Sequence, residues 1–324
     1  MQSKVYGEPL SGDPFTDRRR TGVGGSDAGA ILGVNPWASA LQVYQEKRGH
    51  TRTWDAPERV VWGQRLERAV LDGYAEDKGT EVRKTGRSFR RSKSYPFMVC
   101  HPDGFAPDRL LEVKTTAHQG PDWGPDGSDL VPAHYYTQVQ HNLVVTDQER
   151  ADLIVLVGGR ELHTYTIVGD AGFQAALIDQ EALFWQRVMQ GRPPEPDGSE
   201  SAGRALRELF PVAVPEEVVA TPQVNGYADT YFAAKQTRDA AQREMDKAAQ
   251  AIQSFMGNRE RLIGDGYTAR WGNVQGRTSW KDAAAIFRDL LIPHYTDDTL
   301  DDIQERTRTE ATRRFAMTPG KDEA

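Results

Sequence analysis

The stretch Arg109–Thr116, RLLEVKTT, constrains this chain more than any other. It alternates with period two, the strand signature, and on a strand side chains two apart share a face. Glu112 and Lys114 therefore point one way, while Leu111 and Val113 point the other, into a core. Upstream, Asp103 follows the apolar run Tyr95–Cys100 at a Pro-Asp-Gly turn signal. A hairpin between that run and 109–116 returns the Asp103 carboxylate beside Glu112. A lone Glu-x-Lys on a strand is a surface pair of little energetic consequence. With a second acid on the neighbouring strand, the group becomes a hard-oxygen site suited to Mg²⁺ or Mn²⁺. The ammonium then orients an attacking water and stabilises developing negative charge. Hydrolysis of a phosphodiester requires that combination.

Composition narrows the class. The 324 residues suffice for one large domain or two ordinary ones. A net charge of -7 disfavours coating nucleic acid through bulk charge, but not a local basic groove. The first hundred residues carry an excess of about five positive charges, dense in RKTGRSFRRSK (83–93), which taken alone is a solvated strand face. The single cysteine, Cys100, excludes a disulfide framework or a cysteine-ligated zinc or iron–sulfur site within one chain. The longest aliphatic run, LIVLV, is far too short to span a bilayer, and no signal peptide stands out, so the expected location is cytoplasmic with no membrane partner.

Element signals divide the chain near residue 192. GSDAGAILG (25–33) reads as a short helix capped by Ser26 or Asp27, and 39–49 as a helix from a Ser cap to a Gly stop. Residues 57–79 carry an apolar stripe of Trp62, Leu66, Ala69/Val70 and Gly73/Tyr74. Strands are expected at 81–91, 95–101 and 109–116, a helix at 132–146, a hairpin turning at Gly158-Gly159, and a helix between Asp170 and Gly191. RPPEPDGSES (192–201) has linker chemistry. Beyond a short unassigned segment come a long alanine- and charge-rich helix at 223–257, a strand pair around GDGYTARWGNV, and a helix opened by the capping box Ser279-x-x-Asp282. The long helix places Tyr227, Tyr231, Phe232, Met245, Ile252 and Met256 at helical spacing, so one face wants burial. The expectation is an α/β domain over 1–192 and a mainly helical extension over 193–324.

Pro102-Asp103 followed by Glu112-Val113-Lys114 matches the Pro-Asp…Glu-x-Lys pattern of the restriction-endonuclease-like nuclease superfamily. RRTGVGGSDAGAILGVNPWASALQVYQEKRG, WGQRLERAV and YYTQVQHNLVVT occur in matching order. Together they make residues 15–190 resemble the lambda-exonuclease-like (YqaJ-like) viral recombinase family. The resemblance implies a mixed five-stranded sheet flanked by helices and a Mg²⁺ site in which Mn²⁺ substitutes. Asp103, Glu112 and the Val113 carbonyl would be metal ligands, with Lys114 serving the water. Glu67 matches the helical acid that completes the site, and Gln138 the glutamine that packs beside it, although residues alone do not separate Gln138 from Gln140.

The same resemblance gives Arg19 and Ser26 a 5′-phosphate, a use consistent with a guanidinium fork and a hydroxyl at a helix start. Which of Arg18, Arg19 and Arg20 enters the pocket stays open. His101 stands where relatives often carry a phosphate-touching serine. The implied activity is a metal-dependent 5′→3′ exonuclease acting on double-stranded DNA ends in phage-type recombination. It leaves a 3′ single strand for a single-strand annealing protein, and works as a homotrimer threaded by its substrate. An endonuclease or single-strand exonuclease on the same fold is the alternative. A non-catalytic DNA-end binding protein is a further one, disfavoured by the intact Asp103, Glu112 and Lys114.

Overall fold

The computed structural model describes residues 18–50, 58–86 and 88–273, together with residues 284, 286 and 287. The helix expected after Ser279 lies largely outside them. Among the described residues the chain divides into two compact units, with the boundary between Val212 and Ala213.

The first unit begins with β1 (Val23–Gly24), α1 (Gly25–Ile31), α2 (Ala40–Arg48) and α3 (Glu58–Lys78). Short strands β2 (Arg83–Lys84), β3 (Arg90–Arg91), β4 (Met98–Cys100) and β5 (Gly104–Ala106) precede the long β6 (Arg109–Thr116). Then come α4 (Ala133–Thr146), β7 (Arg150–Val157), β8 (Glu161–Val168), α5 (Ala171–Gln190) and α6 (Glu200–Leu209). The main sheet runs β2-β5-β6-β7-β8, with only β6 and β7 parallel, so the expected mixed five-stranded sheet is present. Helices cover both faces, which is why β7 reads as an apolar run rather than a clean alternation. Leu111, Val113 and Ile154 pack under Val70, Leu71 and Tyr74 of α3. Leu110, Leu153, Val155 and Tyr165 pack on Val139 and Leu143 of α4.

Three local expectations are corrected. The run 95–101 is not the hairpin partner of β6. That partner is β5, with Gly104 opposite Leu111, while β4 leaves for a small separate sheet in the order β1-β4-β3. The expected strand over 81–91 is likewise two pieces in two sheets, β2 and β3. Gly86 separates them with a φ of 57°, a left-handed turn that a continuous strand does not permit. Helix α1 is capped by Gly24, not by Ser26 or Asp27. Asp27 sits one turn in and accepts the Gly24 N–H at 2.7 Å.

Other signals read directly. Ser39, Asp170 and Ser199 cap α2, α5 and α6 by accepting N–H bonds, and Gly49 and Gly191 end α2 and α5 in the left-handed region. Helix α6, unassigned from sequence, packs on α2 through Leu41, Ala202 and Ala205, and Gln45 Nε2 donates to the Ala205 carbonyl at 2.7 Å. Trp62 departs from its expected stripe and stands half exposed at the start of α3, where the helix passes the end of β6 near Thr115.

The second unit contains α7 (Pro222–Met256), capped by Thr221, and a hairpin of β9 (Arg261–Gly264) and β10 (Tyr267–Arg270). Among the described residues no helix is long and apolar enough to cross a membrane.

Candidate active site

The β5–β6 register sets Asp103, just before β5, beside Glu112 at the centre of β6. Asp103 Oδ2 accepts the Val113 N–H at 2.7 Å, so this carboxylate takes the place of a strand carbonyl and is fixed by main chain. On the α4 face, Lys114 Nζ donates to Glu112 Oε1 at 2.8 Å. Gln138 Nε2 donates to the same oxygen at 2.5 Å, and Asn142 Nδ2 to Oε2 at 3.0 Å. Lys114 Nζ also lies 5.4 Å from the Tyr135 ring centroid, within cation–π range. Thus Asp103, Glu112, Lys114 and Gln138 come together, with Val113 joined to Asp103 through its N–H.

Gln140 is separated from Gln138 by its partners. It donates to the Val168 carbonyl and accepts from the Asp170 N–H and Gln174 Nε2, bonds that tie α4 to the start of α5. Glu67, part-buried on α3, lies near enough to act on Asp103 electrostatically.

The charges are tuned by this crowding. Burial, then the neighbouring Glu112, and further Glu67, push the Asp103 carboxyl well above the usual carboxylate range, against the pull of Lys114. Burial disfavours the Lys114 ammonium, yet Glu112 and Asp103 outweigh it and raise its pKa above the ordinary lysine value. A carboxyl pushed this far toward its neutral form marks a site deficient in positive charge. Among the described residues no three His, Cys, Asp or Glu side chains form a ready-made metal cage. The donor set nevertheless fits a divalent ion with oxygen preference, because such ions complete their shell with carbonyls and water. Asp103 and Glu112 would hold it.

A cavity of about 120 Å³ adjoins this group, lined by Arg19, Ser26, His101, Gln138 and Asn142 among others. Of the three successive arginines, Arg19 is the one that lines it. Its Nη2 donates to Ser26 Oγ at 3.0 Å and lies 3.5 Å from Asp27 Oδ1. Asp27 and Lys47, both buried, form an ion pair at 2.5 Å, and Lys47 Nζ donates to the Arg19 carbonyl at 2.8 Å. Burial would raise the Asp27 carboxyl, but Lys47 and Arg19 prevail and hold it below the usual range. Asp27 and Lys47 therefore brace Arg19 from its side chain and its main chain respectively.

Sequence reasoning missed Asn142, Asp27 and Lys47. Asn142 was accessible in principle, since it lies one helical turn after Gln138 on the same face. Lys47 gave no signal, because a lysine in the last turn of a helix usually faces solvent. The close approach of α1 to α4 depends on Gly25: a Cβ there would meet Asn142 Oδ1 at 2.3 Å and Gln138 Cγ at 3.3 Å. Gly25→Ala is therefore expected to destabilise the protein by about 1–3 kcal/mol in urea denaturation. This opposes the usual stabilising sign of glycine-to-alanine changes in helices.

The fold and site together define an α/β protein whose mixed five-stranded sheet carries an Asp…Glu-x-Lys group at its centre. Residues 14–149 match the model of the YqaJ-like viral recombinase domain. The protein YqaJ of Bacillus subtilis (strain 168) is 30% identical over 208 residues, an alignment covering 62% of this chain and 64% of that relative. Among solved structures, an alkaline exonuclease (LHK-Exo) from Laribacter hongkongensis aligns with a TM-score of 0.44 at 15% identity, over 61% of this chain and 98% of its own. A phage-related exonuclease from Haemophilus somnus 129PT aligns with a TM-score of 0.41 at 12% identity, over 54% and 96%.

Proposed function

We propose that this protein is a Mg²⁺-dependent exonuclease that digests one strand of duplex DNA from its 5′ end. The observation that carries this reading is a shared wall. Gln138 and Asn142 hydrogen-bond Glu112 and also line the cavity of Arg19 and Ser26. A terminal phosphate on Arg19 and Ser26 would thus be held next to the group that cleaves the following phosphodiester. A guanidinium with an adjacent hydroxyl is a strong anion receptor, and His101 stands on the same wall.

A divalent ion on Asp103 and Glu112 would supply Lewis-acid charge and an activated water. Lys114, drawn to the same oxygens, holds its proton and stabilises charge on the cleaved phosphate. Gln138 and Asn142 fix the Glu112 carboxylate so that both its oxygens keep their direction. Glu67 adds negative charge beside Asp103, which favours a bound cation. Nucleic acid is also suited to the rim. The Trp37 ring is 60% exposed and packs edge-on to His134, which lies 4.0 Å from the Tyr135 ring beneath Lys114. Exposed rings of this kind stack on bases. The 3′ single strand left behind is a substrate for an annealing protein, and a homotrimer enclosing the duplex accounts for processive digestion by an acidic chain.

Digestion of linear duplex labelled on each strand, in Mg²⁺ or EDTA, tests the reading. Duplex bearing a 5′-phosphate is expected to be digested at least about tenfold faster than its 5′-hydroxyl counterpart. Arg19→Ala is expected to erase most of that preference while retaining metal-dependent cleavage. Equal digestion of both ends by the parent protein would overturn the end-recognition part of the proposal.

A further inference from the structure

Helix α7 has a feature that the nuclease reading leaves unused. Its 35 residues carry a heptad pattern, with Val224, Tyr231, Arg238, Met245 and Ile252 at one seam position and Tyr227, Ala234, Ala241, Ala248 and Phe255 at the other. The large apolar members are open to solvent in the single chain, Met245 at 66% and Phe255 at 73%, and Met256 is the only buried residue of the helix. A strict seven-residue repeat sustained for more than four turns winds a helix around a partner. At about 52 Å, α7 is long enough to do so.

We propose that the occupant of this seam is α7 of a second copy of this chain, running antiparallel. The argument is self-complementarity. A two-fold axis beside Asp239 and Ala240 sets Tyr231 against Ala248 of the second copy, Arg238 against Ala241, and Met245 against Ala234. The same axis sets Val224 against Phe255 and Ile252 against Tyr227 at the ends. Every central layer joins a large residue to alanine, the alternation that lets facing helices interdigitate. Each contact occurs twice, as an isologous interface requires, so this two-fold pairing is distinct from the heterologous contacts that close a three-membered ring. On the flanks Lys235 faces Gln242 and Thr237 faces Glu244, so no like charges meet. A parallel pair has the opposite properties: alanine layers meet alanine layers, and Arg238 meets Arg238. Arg238, already paired with Asp239 at 2.6 Å, can lay its stem across Ala241 and keep its head in water.

Register-specific cross-linking of the full chain tests this. Tyr231→Cys and Ala248→Cys are made in separate chains, which are then co-produced and oxidised; the native Cys100 is buried. A covalent dimer is expected in the mixture and not with either variant alone, because two copies of residue 231 lie about 25 Å apart along an antiparallel pair. Adding Ala241→Glu to both chains is expected to cut cross-linking at least tenfold, with helical circular dichroism and DNA hydrolysis per chain unchanged. No cross-link in the mixture, cross-linking of a single variant, or persistence of the cross-link with Ala241→Glu would each overturn the proposal. So would cross-linking that requires an added single-strand annealing protein, since that assigns the seam to another partner. The outcome does not depend on the nuclease reading.

Discussion

Lys114→Ala is expected to lower DNA hydrolysis by at least about 10²–10³-fold, the usual effect of removing one group that stabilises charge at the reacting centre. Circular dichroism and the thermal transition should change little, because the Lys114 side chain is part-exposed and its main contact is to Glu112. Asp103→Ala and Glu112→Ala are expected to lose activity to a similar extent, for a different reason: each removes a carboxylate that would hold the metal ion. The two effects separate in a Mg²⁺ titration. Raising Mg²⁺ should recover part of the activity of a carboxylate variant and none of that of Lys114→Ala. Near-normal turnover by purified Lys114→Ala would remove lysine from the mechanism.

His141→Leu is expected to destabilise the first unit by about 3–5 kcal/mol, since it strands a buried charge. His141 and Glu181 are both fully buried. The imidazole Nδ1 lies 2.8 Å from Glu181 Oε1, and Nε2 lies 2.9 Å from the Val99 carbonyl. This pair pins α4 to α5 and to β4, directly behind Asn142 and the cavity wall. Burial works against the His141 cation, but Glu181 and the Val99 carbonyl raise its pKa above the usual histidine value. A raised histidine stabilises the fold fully below its unfolded pKa, and that contribution is lost as pH rises through the folded value. The stability difference between parent and variant should therefore shrink toward alkaline pH. The double variant His141→Leu with Glu181→Leu should recover much of the loss, because apolar residues replace both charges. A thermal transition of His141→Leu within about 2 °C of the parent would contradict this account, given a shift of about 2–4 °C per kcal/mol at this size.

The sequence by itself determined the elements with strong local chemistry. Period-two alternation gave β6, helix caps and left-handed glycines bounded α2 and α5, and the Gly158-Gly159 turn marked the β7–β8 hairpin. It also determined the clustering of two acids with a lysine, because Glu112 and Lys114 sit two apart on one strand and Asp103 is only nine residues away. Only the tertiary structure decided which strand carries Asp103 to Glu112. Three residues, Gly104–Ala106, are too few to show a period, and the more apolar β4 competes for the same reading. Tertiary contact alone also chose Arg19 from three arginines and Gln138 over Gln140, and it buried Asp27 and Lys47 behind the cavity. A side chain's face on a helix is local information, but its partner across the fold is not. A polar residue is buried only where another segment, tens of residues away, arrives to satisfy it.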